Sequence, residues 1–403
     1  MVDRTVVHFS GPLAAHSQAL RSSLLARGYA PSSSNNLLRV AAHLSRWLDE
    51  RSLRLEALTR EHLDEFLALR RAERSCFFTI RALAPILRYC EDAGLVSVAA
   101  RPVVPSGEAD RLLHAYAQYL ERERCLTPDC ARSYTSMAQE FLRWRFGRHE
   151  AIDVSVLKAA EVTSFALYAT RRYSVSTAKL SVTALRSFLL YLFLQGQVSV
   201  DFRGALPAIA NWRLQGLPKA LTASQLRGLL RTCDRRRHVG RRDYAVLLLL
   251  ARLGLRAREV SAFELEDIDW RCGEILVRGK GGRTERLPLP TELGTALVSY
   301  LRLSRPRGST RRVFLSVRAP YSPLIRTAIT AVVHRACRRA SLPLFGAHRL
   351  RHTAATEMLR SGSSLDEIAQ VLRHRSHDTT AIYAKVDRNA LRALASRWPG
   401  GIS

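Results

Sequence analysis

Six residues in the C-terminal half could together do chemistry on a phosphodiester: Arg256, Lys280, His348, Arg351, His374 and Tyr383. A phenol that loses its proton is a nucleophile and can carry the bond of a covalent intermediate. Two guanidiniums offer planar, forked donors to non-bridging oxygens. A lysine can protonate a leaving oxygen, and imidazoles can accept a proton or hold a hydrogen bond. Taken singly, each has an ordinary explanation. A lone tyrosine is usually a half-buried core residue, an arginine beside a helix break is usually solvated, and a hairpin lysine is usually a turn residue. Their meaning lies in the ordered series and in the local context of each.

The elements that must position these groups are legible around them. A helix from about Arg242 breaks near Gly254, so Arg256 falls on a turn, and Glu259 lies three residues on, within reach of it in helical geometry. Glu274–Arg278 and Thr284–Leu289 alternate like two strands joined across Gly279-Lys280-Gly281-Gly282, which puts Lys280 in a hairpin turn. Val313-Phe314-Leu315 reads as a third short strand. His348 and Arg351 are three apart at the start of an apolar-periodic helix, where free N–H groups favour an anion. Leu372-Arg373-His374 closes another helix, and Thr379–Tyr383 reads as a short one.

The chain has 403 residues, enough for two or three domains, and a formal charge of +28 that points to a polyanionic partner, nucleic acid first. Arginine dominates; the lysines are Lys158, Lys179, Lys219, Lys280 and Lys385. Codon bias accounts for that choice but not for the shortage of acids. Seven scattered cysteines form no CxxC pair, so neither a disulfide framework nor a zinc site is expected. No apolar run approaches the ~20 residues of a membrane span. A cytoplasmic, DNA-associated protein without a membrane partner is the expectation.

Pro/Gly-bearing breaks at 101–107 and 204–218 divide the chain, and the two segments before Gly204 look like copies. Pro31 and Pro128 each precede a helical pattern that reaches Arg46-Trp47 and Arg143-Trp144, and both copies end in Tyr-x4-Gly-x-Val-Ser-Val. The apolar spacing within each suggests a bundle of about four amphipathic helices. The half after Pro218 reads as mainly α with a small sheet, opening at a capping box, Thr222-Ala223-Ser224-Gln225. The expected domains are 1–103, 108–203 and 217–403.

Leu-Gly-Leu-Arg256-x-x-Glu259, Gly-Lys280-Gly-Gly, His348-x-x-Arg351-His-Thr, and His374 nine residues before Tyr383 together resemble the catalytic domain of the tyrosine recombinases, or phage-type integrases. Residues 108–200 are similar to the family's helical, SAM-like core-binding domain, and the likeness covers the last three quarters of the chain. Arg373 departs from the pattern, which usually has glycine there. The resemblance implies that Tyr383 attacks a scissile DNA phosphate to give a 3′-phosphotyrosine, with neither metal, ATP nor other cofactor. It further implies that Arg256 and Arg351 clamp the phosphoryl oxygens with Glu259 in support, and that Lys280 protonates the leaving 5′ oxygen. His348 would take or orient the phenolic proton and His374 would add a hydrogen bond. A dense cationic pocket is expected to favour phenolate.

Double-stranded DNA with specific core sites is the implied partner, gripped by a homo- or heterotetramer in which sister recombinases could take part. Val386, Ala390, Leu391, Leu394 and Trp398 form an apolar stripe suited to linking subunits. Arg132, Arg143, Arg145, Arg171 and Arg172 are candidates for phosphate contacts in the core-binding segment. Two rivals remain: a type IB topoisomerase-like enzyme, and a catalytically accessory DNA-binding member of a multi-recombinase system.

Overall fold

The computed structural model describes residues 7–72, 80–96, 107–147, 152–207, 220–279, 284–308, 310–373, 380 and 383. Its contacts divide the chain into two compact units, one formed by residues 97–212 and the other by residues 1–96 together with 213–403.

In residues 97–212, α5 (Glu108–Arg122), α6 (Pro128–Phe146), α7 (Ala159–Arg172) and α8 (Val175–Leu194) pack around one apolar core. Pro128 opens α6, where its missing N–H costs nothing. Gly147 ends it with φ of 73°, a conformation few other residues tolerate. Tyr116, Phe141, Phe165, Phe188 and Leu189 are almost fully buried there, each worth on the order of 2 kcal/mol of transfer free energy. Among the described residues, α8 is the helix long and apolar enough to cross a membrane. Its Ala178, Val182, Leu185, Leu189 and Leu192 are instead buried in this bundle.

The first 96 residues repeat that order of elements. They hold α1 (Ser17–Ala26), α2 (Pro31–Glu50), α3 (Arg60–Ala72) and α4 (Ile80–Asp92), and a single 3-10 turn precedes the third helix of each set (Leu55–Ala57 and Val154–Val156). Proline opens the second helix in both. Gly28, at the turn after α1, has φ of 84° and accepts a hydrogen bond on its carbonyl from the Tyr321 hydroxyl at 3.2 Å, which ties these residues to the C-terminal half.

In residues 213–403, α10 (His238–Arg252) is the central rod. Every residue from Ala245 to Ala251 is shielded from solvent, and the helix packs against α12 (Thr291–Leu303), α13 (Arg326–Arg339) and α14 (Ala347–Arg360). The short helices α9 (Ala223–Arg231), α11 (Ala257–Ala262) and α15 (Leu365–Leu372) complete the shell. The Thr222–Gln225 capping box forms with both bonds in place. The sheet has the order β1 (Ile268–Asp269), β2 (Glu274–Arg278), β3 (Thr284–Pro288), all antiparallel, and the β2–β3 ladder ends at the Arg278–Thr284 pair.

The third strand of that sheet is therefore β1 rather than Val313-Phe314-Leu315. The latter segment runs between loops and finds its partners there: Val313 N–H donates to Phe263 O at 2.9 Å, and Phe314 O accepts from Leu324 N–H at 2.9 Å. Leu315 N–H donates to the Tyr300 hydroxyl at 3.1 Å. With its backbone groups so satisfied it has no need of a ladder. Most of the two expected linkers and the whole C-terminal stripe lie outside the described residues.

Candidate functional site

The site grows from a glycine. Gly254 ends α10 with φ of 58°, and a Cβ there would lie 2.5 Å from a Leu372 methyl and 3.5 Å from Arg351 Cγ. Glycine at this corner thus lets the α10–α11 turn close onto α14 and α15. Arg351, from the first turns of α14, runs through the contact with 1% of its surface exposed. It donates through Nη1 to Gly254 O at 2.7 Å and through Nη2 to Leu372 O, so one guanidinium fastens three elements. Burial, with Arg256 and Arg373 close by, pulls its pKa down to about 9. It stays charged at neutral pH yet lacks full counter-charge, which is the condition of a group built to meet an anion.

Arg256 is the N-cap of α11. Its backbone N–H donates to Glu259 Oε2 at 2.8 Å and its Nη1 to Glu259 Oε1 at 2.7 Å, while Nη2 reaches the carbonyl of Arg373 at 3.4 Å. The Arg256 side chain is 44% exposed whereas that of Glu259 is 5% exposed. The carboxylate is thus a buried anchor that aims a partly open guanidinium. Burial alone would raise the Glu259 pKa, but Arg373 and then Arg256 outweigh it and hold the carboxyl below its usual range.

Tyr383 lies in this neighbourhood, 1% exposed, among Ala355, Ile368 and Leu372. Its N–H donates to Thr380 O at 2.9 Å. Its hydroxyl is 2.8 Å from Nδ1 of His352, and the two rings are 5.6 Å apart. His348 stacks edge-on against His352 at 4.4 Å. Burial, then the neighbouring His348 and Arg351, lower the His352 pKa to about 4, so at neutral pH the ring is neutral and its Nε2–H tautomer can accept from the phenol. Burial, then Arg351 and Arg256, also push His348 below its ordinary value. The phenol does not behave as its cationic surroundings suggest. Burial pushes Tyr383 up to about 12, with Arg351 acting in the opposite sense. In this conformation the phenol is buried and protonated.

The structure therefore brings Arg256, Glu259, His348, Arg351 and Tyr383 together from α11, α14 and the segment after α15. Lys280 and His374 lie outside the described residues. Sequence reasoning missed His352. The signal was its place four residues after His348, on the same helix face. It also treated Arg373 only as a departure from pattern, although its buried side chain joins the same cluster.

On the core-binding segment, Arg132, Arg143, Arg171 and Arg172 are exposed. Arg132 pairs with Asp129, and Arg172 lies 3.9 Å from Glu140. Arg145 is held by Glu161 at 2.6 Å and is the least open of the five.

Residues 219–390 match the phage integrase family. The chain is 39% identical over 393 residues to the putative integrase/recombinase y4rA of Sinorhizobium fredii (strain NBRC 101917 / NGR234), covering 97% of this chain and 95% of that protein. It is 28% identical over 297 residues to the tyrosine recombinase XerC of Bacillus pumilus (strain SAFR-032), covering 70% of this chain and 94% of the relative. Among solved structures, the XerH site-specific recombinase bound to a palindromic difH substrate shares the fold at a TM-score of 0.56 and 19% identity, over 91% of this chain and 96% of that one. These likenesses define a site-specific recombinase of the tyrosine type. The chain belongs to the phage integrase family.

Proposed function

We propose that this recombinase cuts and rejoins duplex DNA through Tyr383, which forms a 3′-phosphotyrosine and releases a 5′ hydroxyl. The phosphorus–oxygen bond to the leaving strand breaks as the bond to the phenol oxygen forms. The ester conserves the bond energy, so a second 5′ hydroxyl reseals the strand by the reverse step. Arg256 and Arg351 donate to the non-bridging oxygens, where charge builds. The single observation that carries this reading is the union of both guanidiniums in one cluster beside a tyrosine, with Arg351 buried, charged and short of counter-charge.

His348 receives the phenolic proton once Tyr383 swings from its stowed position, and His352 holds the phenol until then. Burial lowers the His352 pKa to about 4 and raises that of Tyr383 to about 12, so the proton stays on the phenol in this arrangement, which suits a latch rather than a base. Lys280 protonates the leaving oxygen and His374 adds a hydrogen bond to the phosphoryl group; both roles follow from their place in the motif series. The relatives' names and DNA-bound structural neighbours favour specific duplex sites as substrate.

Residues 108–203 grip the core site and residues 1–103 act as a second clamp on flanking DNA, a reading supported by the repeated order of helices and by proline opening the second of each set. The assembly is a tetramer on DNA, joined through the C-terminal stripe, with sister recombinases as candidate members. The protein works in the cytoplasm, on the nucleoid. Covalent adducts trapped from a library of nicked random duplexes identify the cleavable DNA. Tyr383→Phe should bind that duplex and form no adduct. Adducts that persist in the variant would remove Tyr383 from its role.

A further inference from the structure

Arg373 combines features that the mechanism above leaves unused. It follows α15 with φ of 55° and ψ of 51°, a left-handed backbone that glycine adopts freely and arginine does not. Its side chain is only 5% exposed, with Nη2 at 2.8 Å from Glu259 Oε2 and Nη1 donating to Val371 O at 2.9 Å. Its Nε is buried and has no hydrogen-bond partner among the described residues. Its carbonyl in turn accepts from Arg256 Nη2 at 3.4 Å. Strained backbone, buried charge and an unsatisfied donor all oppose this residue here, and such costs persist where the surroundings use what they hold in place.

We propose that Arg373 is a positioning residue for the cleavage step: it shares Glu259 with Arg256, presents its carbonyl to the same guanidinium, and so sets both the aim and the net charge of the phosphate clamp. The proposal rests on the reading of Arg256 and Arg351 as that clamp. Three guanidiniums and one carboxylate leave a net of two positive charges, since His348 and His352 favour their neutral forms. A phosphodiester carries one negative charge. Addition of a phenolate gives a pentacoordinate species with two. Beside the charges of Lys280 and of a His348 that has taken the phenolic proton, Arg373 adds one more positive charge, which favours the doubly negative species over the singly negative diester. Only such a preference for the transition state accelerates the step.

The test compares Arg373→Gly and Arg373→Lys with the unmodified chain in single-turnover adduct formation on the trapped duplex, alongside DNA affinity. Glycine suits the left-handed backbone, so the variant removes the guanidinium without adding strain. Adduct formation should fall on the order of 100-fold while affinity stays within about 3-fold. Lysine, which restores a charge beside Glu259, should recover at least a tenth of the original rate. On the same duplex with a neutral methylphosphonate at the scissile linkage, where one less charge must be balanced, the deficit of Arg373→Gly should shrink to about 3-fold or less.

An unchanged rate in Arg373→Gly overturns the proposal. So does an equal deficit on both linkages, which marks a merely structural part. If Arg373→Gly fails to fold, Arg373→Asn, which also tolerates the left-handed backbone and lacks the charge, decides: a deficit on the normal linkage that shrinks on the methylphosphonate supports the proposal, and any other result overturns it. Absence of adducts with the unmodified chain would instead sink the Tyr383 reading itself.

Discussion

Glu259→Gln is the perturbation that most directly probes how the cluster is held together. The carboxylate is buried and receives Arg256 twice and Arg373 once, at 2.7–2.8 Å. Glutamine keeps the shape but turns an N–H₂ towards one guanidinium and removes the counter-charge shared by two. Removing one partner of a buried pair costs about 3–5 kcal/mol. Taking about 3 kcal/mol, because Arg256 is partly solvated, and roughly 2–4 °C per kcal/mol for a unit of this size, the melting temperature should fall by roughly 6–12 °C at pH 7.

The pH dependence follows from the depressed Glu259 pKa. A carboxyl held below its unfolded value of 4.5 contributes stability in full above that pH, and loses it as pH falls towards the folded value. The gap between parent and variant should therefore be flat from about pH 6 to 8 and close on acidification below 4.5. Thermal melts followed by circular dichroism across that range measure it. A bound DNA phosphate replaces the missing anion, so DNA should raise the variant's melting temperature more than the parent's. A variant that melts within 1 °C of the parent at pH 7 would refute the charge-sharing picture.

Other outcomes follow from the same geometry. Arg351→Lys, which cannot reach both Gly254 O and Leu372 O with a planar fork, should lower adduct formation about 100-fold or more and change DNA affinity by less than about 5-fold; single-turnover gels with a binding titration measure both. His352→Phe removes the acceptor that stows the phenol, worth about 1 kcal/mol, so adduct formation should stay level or rise by up to about 5-fold. A 100-fold loss there would make His352 the base. Removing residues 1–103 should shorten the nuclease footprint on the trapped duplex while leaving cleavage chemistry in place; an unchanged footprint would count against a second clamp.

Much of the site was legible because local geometry set it. Arg256 and Glu259 are three residues apart at a helix start, and a capping box forms there as spacing suggests. His348 and Arg351 occupy the opening turns of α14, as apolar periodicity implies. What could not be read depends on packing between distant segments. The burial of Tyr383, and with it a pKa of about 12 instead of an activated phenol, comes from α14 and α15 closing over it. Arg373 looked like an irregularity until its left-handed backbone showed why a small residue suits the position and what its side chain reaches. In the sheet, β1 is two residues long and offers no alternation to detect, whereas Val313–Leu315 is an apolar, wholly buried run that makes only an isolated bridge, Leu315 to Pro323, outside the sheet.

Mass spectrometry of the trapped DNA adduct tests the central claim most directly. The peptide carrying nucleotide should contain Tyr383, linked to a 3′ phosphate, and the released strand should bear a 5′ hydroxyl. A linkage through another residue, or through a 5′ phosphate, would contradict it.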